Sequence, residues 1–164
     1  PVDHLLERLD RQVRLGERDL HAGSDAARSA YRAAHFGFIF QDVVLDARRS
    51  VLDAVLEPCL YAGLDKAVHT GRALDLMARL GVDLDPDVLP GQISGGQAQR
   101  IGVCRALLLG PRIVFADEPT GNLDNDSTEA VVTALLGAAT AGCTVLVATH
   151  ADRVVRRATA RVEL

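Results

Sequence analysis

The hydrophobic pattern changes period repeatedly along the chain. Three short runs are almost wholly apolar: 36–40 (FGFIF), 113–116 (IVFA) and 144–148 (TVLVA). Each has the length of a strand, and continuity without alternation predicts strands buried on both faces of a parallel sheet. Between these runs, apolar residues recur at helical spacing. Ser24 is placed to cap a helix running through Ala34. Ser50 opens a helix to Leu56 that Pro58 is expected to stop, and Thr70 opens another to Leu80, closed by Gly81. Asp83 to Gly91 holds two prolines and several acids and reads as a loop. Helices are expected over 94–109, ended by Gly110-Pro111, and over 125–139. A last helix and a short strand from Ala160 to Leu164 finish the chain. Upstream, Val2, Leu5, Leu6 and Leu9 have helical spacing, and Val13-Arg14-Leu15 reads as a short strand ending at Gly16. Strands alternating with helices predict an α/β fold: a mostly parallel sheet with helices packed on it.

Composition narrows the class only modestly. The chain has 164 residues, nearly half apolar and a quarter charged, as expected of a globular domain with a real core. The net charge of −4 argues against a mainly electrostatic partner such as bulk nucleic acid. Cys59, Cys104 and Cys143 lie far apart among apolar neighbours and read as reduced, buried thiols of a cytosolic protein. The five histidines are scattered, so a metal site built from them is not expected. No apolar run reaches the ~18–20 residues needed to span a bilayer, and no secretory signal is visible. The chain opens on Pro1, so processing or a fragment is expected. Lys66 is the sole lysine.

The candidate chemistry sits where the apolar runs end. The first gives way to Gln41, the second to Asp117-Glu118, the third to Thr149-His150. Parallel strands end along one edge, and open α/β sheets bind ligands outside their carboxyl ends. Gln41 taken alone reads better as a loop residue, and His150 reads equally as a satisfied histidine at a helix start. Asp117-Glu118 is harder to dismiss, because adjacent acids after a buried strand repel each other and lose hydration. An amide, two carboxylates and an imidazole on one crevice suit phosphoryl transfer from a Mg-nucleotide to water. One carboxylate holds Mg²⁺, the second orients or deprotonates the water, the imidazole donates to the terminal phosphate and the amide bridges metal and water.

The stretch Ser94-Gly95-Gly96-Gln97 adds a second feature. Ser94 and Gln97 have the S-x-x-Q spacing of a capping box. A capping box needs no glycine, and each glycine costs a helix about 1 kcal/mol relative to alanine. Two of them leave first-turn N–H groups bare at the positive end of the helix dipole, where an anion can approach. The turn reads as a phosphate-binding helix start.

These residues carry a resemblance. Ile93 to Gln97 with Gln99-Arg100 resembles the signature motif of ABC-type ATPases, with Ile where Leu is usual. Ile113 to Pro119 is similar to that family's Walker B strand, Gly121 to Asp124 to its D-loop, Phe40-Gln41 to its Q-loop and Thr149-His150 to its switch histidine. The order of all five is right, and they span residues 36–150. The run 117–124 (DEPTGNLD) resembles the branch of lipoprotein-releasing, macrolide-efflux and cell-division ATPases of bacteria. The resemblance implies a P-loop NTPase-like (RecA-like) fold with an inserted helical subdomain. The expected divisions are 1–41 as partial core, 42–91 as the helical subdomain and 92–164 as signature helix and remaining core. It implies that Ser94, Gly95, Gly96 and Gln97 contact a nucleotide held by a partner subunit in a head-to-tail dimer. It further implies Asp117 and Gln41 toward Mg²⁺, Glu118 as general base, His150 at the terminal phosphate and Asp124 across the dimer. ATP and Mg²⁺ are the implied cofactors. A second ATPase subunit and a transmembrane permease are the implied partners, with no nucleic acid, at the inner face of the cell membrane.

The family's P-loop, G-x-x-x-x-G-K-[ST], does not occur in these residues, and Lys66 between Asp65 and Ala67 belongs to no such motif. The aromatic residue that stacks on the base is missing too. Residues 4–20 resemble the helix and strand that follow a P-loop, so the chain reads as an N-terminally truncated ABC domain, inactive toward ATP by itself. The rival reading is a non-catalytic module that lends its signature face to an intact ABC subunit. A soluble ABC relative acting on DNA or ribosomes ranks last.

Overall fold

The computed structural model describes residues 24–162, together with the backbone of two short strands further upstream. Those strands, β1 (Arg14–Leu15) and β2 (Arg18–Asp19), pair antiparallel. The helix expected over residues 2–11 lies outside the described residues.

Ser24 caps α1 (Asp25–His35) through its hydroxyl, which accepts from the Ala27 N–H. The chain passes directly into β3 (Phe36–Ile39). Next come α2 (Val51–Val55), α3 (Glu57–Ala62), α4 (Lys66–Arg79) and a 3₁₀ turn at Pro90–Gln92. The buried helix α5 (Gly95–Leu107) leads to β4 (Ile113–Asp117), α6 (Asn125–Thr140), β5 (Thr144–Ala148) and α7 (Asp152–Val155).

The helix opened by Ser50 ends at Leu56, as the pattern predicts. Pro58 then sits in the first turn of α3, where its missing N–H has no intrahelical acceptor to lose. One helix boundary differs from the sequence pattern. Helix α4 begins at Lys66, not Thr70, because the Asp65 carboxylate caps it by accepting from the Ala67 N–H. At the other end of the chain, residues 160–162 form no strand.

The strands β3, β4 and β5 form a parallel sheet in that order. Ile39 pairs with Ala116 and Ala116 with Val147, so the three carboxyl ends lie level. The inner face of the sheet supplies Ile39, Val114 and Ala116 to the core. Helix α5 packs against this face, and α2, α4 and α6 pack on α5. Val51, Val55, Met77, Leu80, Ile101, Val103, Leu108 and Val131 complete one continuous cluster. The helical segment and the strand-bearing segment therefore share a core through α5.

Contact between β3 and α5 is very close. A Cβ on Gly37 would lie 2.5 Å from the Ala106 carbonyl oxygen. Gly102 of α5 is similarly crowded, its Cβ position 2.7 Å from Val43 Cγ2.

The outer face corrects the expectation of strands buried on both sides. All four phenylalanines of the chain, Phe36, Phe38, Phe40 and Phe115, stack on it, with Phe38 and Phe115 centroids 5.5 Å apart. Phe38 is 44% exposed, Phe40 55% and Leu146 52%, and among the described residues no helix covers them. The continuous apolar runs correctly marked both faces as hydrophobic; only one is covered here.

Asp124 caps α6. Its carboxylate accepts from the Ser127 N–H at 2.7 Å and the Ser127 hydroxyl at 3.1 Å. These two bonds, the backbone one foremost, hold the Asp124 carboxyl below the usual carboxylate range.

Three outcomes are expected. Gly37→Ala drives a methyl into a backbone oxygen that has nowhere to move, and should cost about 1–3 kcal/mol in denaturant unfolding. Gly95→Ala, with nothing within 4 Å of its Cβ position, should cost no stability. Asp124→Ala should lower the melting temperature at pH 7. Because the folded-state pKa is depressed, the carboxylate stabilises at pH values above its unfolded value of about 4. That contribution is lost as pH falls through the lower folded value, so the melting temperatures of the two proteins should converge in acid.

Candidate functional site

The level strand ends fix which loops meet. Two residues beyond the paired triplet Ile39, Ala116 and Val147 come Gln41, Glu118 and Thr149. β4 is central, so Asp117-Glu118 lies between the Gln41 loop and the Thr149-His150 loop. Asp117 ends β4 on the outer face, in line with Phe115, and is exposed. Gln41 and His150 are exposed, and Glu118 is half-buried.

Glu118 is the most tightly specified of these residues. Its φ of +42° is the single positive value at a non-glycine among the described residues, a conformation costing of order 1–2 kcal/mol. Four hydrogen bonds hold it there. Its N–H donates to the Ala148 carbonyl at 2.9 Å, and its own carbonyl accepts from the Gly121 N–H at 3.2 Å. Oε1 accepts from the His150 N–H at 2.8 Å, and Oε2 from the Thr149 hydroxyl at 2.9 Å. Pro119 and Thr120, which follow, are buried, so the loop is anchored immediately beyond the carboxylate.

Gln99 pins a second junction. It is 3% exposed, and its Nε2 donates to the Phe40 carbonyl at 3.0 Å and the Pro119 carbonyl at 3.4 Å. One side chain of α5 thus ties the end of β3 to the loop after β4. Arg100, the next residue, donates to the carbonyls of Gly96, Leu80 and Gly81 and fastens α5 to the end of α4.

The Ser94 turn forms the capping box its spacing predicts. Ser94 Oγ accepts from the Gln97 N–H at 3.2 Å, and Gln97 Oε1 accepts from the Ser94 N–H at 2.8 Å. The glycines lie outside this exchange. Gly95 is exposed with open space around it, and Gly96 faces Leu123 and the Asn122 carbonyl. The turn therefore has an open side next to the 121–124 loop, while Ser94 and Gln97 are engaged with their own helix. Asp124 likewise serves as a helix cap and remains exposed.

The structure thus brings Glu118 together with Thr149 and His150, and puts Asp117 and Gln41 on the same sheet edge. Ser94, Gly95, Gly96 and Gln97 occupy a separate turn. Sequence reasoning assigned no role to Thr149 or Gln99. A hydroxyl just past a strand, beside a paired carboxylate, was the available signal for Thr149. For Gln99 it was an amide on the helix face that otherwise carries Gly102, Val103 and Ala106.

As to nucleotide and metal, the donor set fits one end of a Mg-nucleotide. Asp117 and Gln41 offer hard oxygen donors, and Mg²⁺ characteristically takes one or two carboxylates and completes its shell with phosphates and water. Among the described residues no cluster of three His, Cys, Asp or Glu exists that could hold a metal ion unaided. The glycine-rich cradle for the remaining phosphates is not in the sequence. Cys59, Cys104 and Cys143 are free, and burial pushes the Cys104 thiol up to about 12, so it offers no nucleophile. No helix among the described residues is long and apolar enough to cross a membrane.

Comparison with known proteins agrees with this layout. A family model described as ABC transporter matches residues 5–121. The macrolide export ATP-binding/permease protein MacB of Chromobacterium violaceum is 45% identical over 147 residues, covering 86% of this chain and 23% of that protein. The lipoprotein-releasing system ATP-binding protein LolD of Granulibacter bethesdensis is 40% identical over 163 residues, 96% of this chain and 71% of that protein. The chain spans less than a quarter of the MacB relatives' length. Among solved structures, the post-hydrolysis dimer of the ATP-binding cassette MJ0796 bound to ADP and Pi superposes with a TM-score of 0.75 at 29% identity, over 87% of this chain and 64% of that one. With the motif order, the level strand ends and a family match over most of its length in agreement, the chain belongs to the ABC transporter family.

Proposed function

We propose that this chain carries the water-side and signature groups of an ATP-hydrolysing ABC subunit. It works head to tail with a second ATPase subunit and is coupled to a membrane-embedded permease. The observation that supports this most is the sheet edge where Gln41, Asp117-Glu118 and Thr149-His150 follow three level strand ends, with both Glu118 oxygens already engaged. Glu118 accepts the proton of the water that attacks the terminal phosphate, and His150 donates to that phosphate as its charge changes. Mg²⁺, held by Asp117 and Gln41, supplies charge neutralisation at the phosphates when bound. Ser94, Gly95, Gly96 and Gln97 face the nucleotide of the neighbouring subunit, and Asp124 lies toward the same interface. The helical segment 42–91 is the permease-facing part, and the assembly is peripheral on the inner face of the membrane. The names of the relatives, an export ATP-binding/permease protein and a releasing-system ATP-binding protein, agree with this setting.

A second reading, in which the chain lends only its signature turn to an intact subunit, is supported by the open space at Gly95. Mg-ATP turnover separates the two. These 164 residues alone should show no turnover. Joined to an upstream segment carrying G-x-x-x-x-G-K-[ST], they should hydrolyse ATP, and Glu118→Gln should lower that rate by about 10²–10⁴-fold. Equal rates with and without the upstream segment would contradict the proposal. Failure of the joined protein to turn over, with stimulation of an intact cassette by the chain, would select the second reading.

A further inference from the structure

The Glu118 carboxylate is held entirely from the loop between β5 and α7. Oε1 receives the His150 backbone N–H, and Oε2 receives the Thr149 hydroxyl. The hydroxyl is itself oriented, because Thr149 Oγ1 accepts from the Ala151 N–H at 3.0 Å. With that lone pair taken and an acceptor-only carboxylate 2.9 Å away, the hydroxyl proton points at Oε2. Threonine adds stiffness, since its branched Cβ restricts χ1 where serine would rotate. An ionised carboxylate has about four lone-pair positions. One donor on each oxygen fixes the plane of the group and leaves the remaining positions open.

We propose that Thr149 is a positioning residue for Glu118: its hydroxyl, steered by the Ala151 N–H, orients the carboxylate that receives the proton of the attacking water. In this role Thr149 acts through Glu118, to which its hydroxyl donates, rather than on the reacting atoms. The inference rests on the proposed role of Glu118 as base. It assigns the loop after β5 a second task, separate from that of the His150 imidazole: the backbone of His150 and the side chain of Thr149 set the base, while the ring remains free for phosphate.

Two measurements test it. In the chain itself, without nucleotide, amide hydrogen exchange at His150 reports the hold. Thr149→Val keeps the shape and removes the hydroxyl, and should speed that exchange, while Thr149→Ser should leave it near the unaltered rate. Unchanged exchange amides in β4 and β5 show that the variant is folded. In the protein complemented with a P-loop segment, Thr149→Val should lower kcat about 10–100-fold, as expected for a misplaced reacting group. KM for ATP should stay within about twofold, and Thr149→Ser should recover most of the rate. A rise in KM with kcat intact, a serine variant no better than valine, or His150 exchange indifferent to Thr149→Val would each overturn the inference. Glu118→Gln separates the two levels. If it abolishes turnover and Thr149→Val leaves kcat unchanged, positioning fails and the base stands. If Glu118→Gln leaves turnover unaltered, the base fails and the positioning role with it.

Discussion

The in-register parallel pairing of β3, β4 and β5 is the constraint on which the site depends. A parallel ladder allows no independent choice of strand ends: once Ile39 opposes Ala116 and Ala116 opposes Val147, the next residues of all three strands must emerge along one line. Register in turn is set by which side chains reach the core. A slip of one residue would exchange Ile39 for Phe38 and Ala116 for Phe115 on the face against α5. That face has no room for the larger rings, because Gly37 already brings β3 onto the α5 backbone. The packing of a glycine thus decides where a glutamate stands.

Helix α5 links this edge to the rest of the molecule. Its buried Gln99 is bonded to two carbonyls that belong to different strand-end loops, and breaking either bond would strand a buried polar group at a cost of about 1–3 kcal/mol. One turn earlier the same helix begins with the open Ser94-Gly95-Gly96 face. A single helix therefore carries the turn proposed to face a neighbouring molecule's phosphates and an amide clamped to this molecule's own sheet edge. Arg100 extends the connection to the end of α4. Arg100 thus ties the end of α4 to the helix that begins at the Ser94 turn.

The α/β class, the three strands and the gathering of polar residues at one sheet edge were legible because each rests on local pattern. Continuous apolar runs ending in Gln41, Asp117-Glu118 and His150 need no tertiary information, and S-x-x-Q spacing predicts the capping box that forms at Ser94. The start of α4 was less legible, because Asp65 caps as well as Thr70 would. The coverage of the sheet was misread for a different reason. Apolar faces announce that they want a cover, and sequence does not say whether the cover is present. Thr149 and Gln99 escaped assignment because their significance lies in partners 31 residues away for Thr149 and 59 and 20 residues away for Gln99.

These elements divide the proposed work between two molecules: one edge for the water side of a nucleotide in the same subunit, one turn for the phosphates of a nucleotide in the next. That division is the central claim, and disulfide trapping tests it most directly. Ser94→Cys is placed in the chain with the half-buried Cys143 replaced by serine. The chain is then mixed with an intact ABC cassette bearing a cysteine in its P-loop, with and without a non-hydrolysed ATP analogue and Mg²⁺. The account predicts a cross-link between the two proteins that forms when nucleotide is present and not in its absence. Cross-linking that is indifferent to nucleotide, or a Ser94→Cys thiol that never reaches the partner's P-loop, would contradict it.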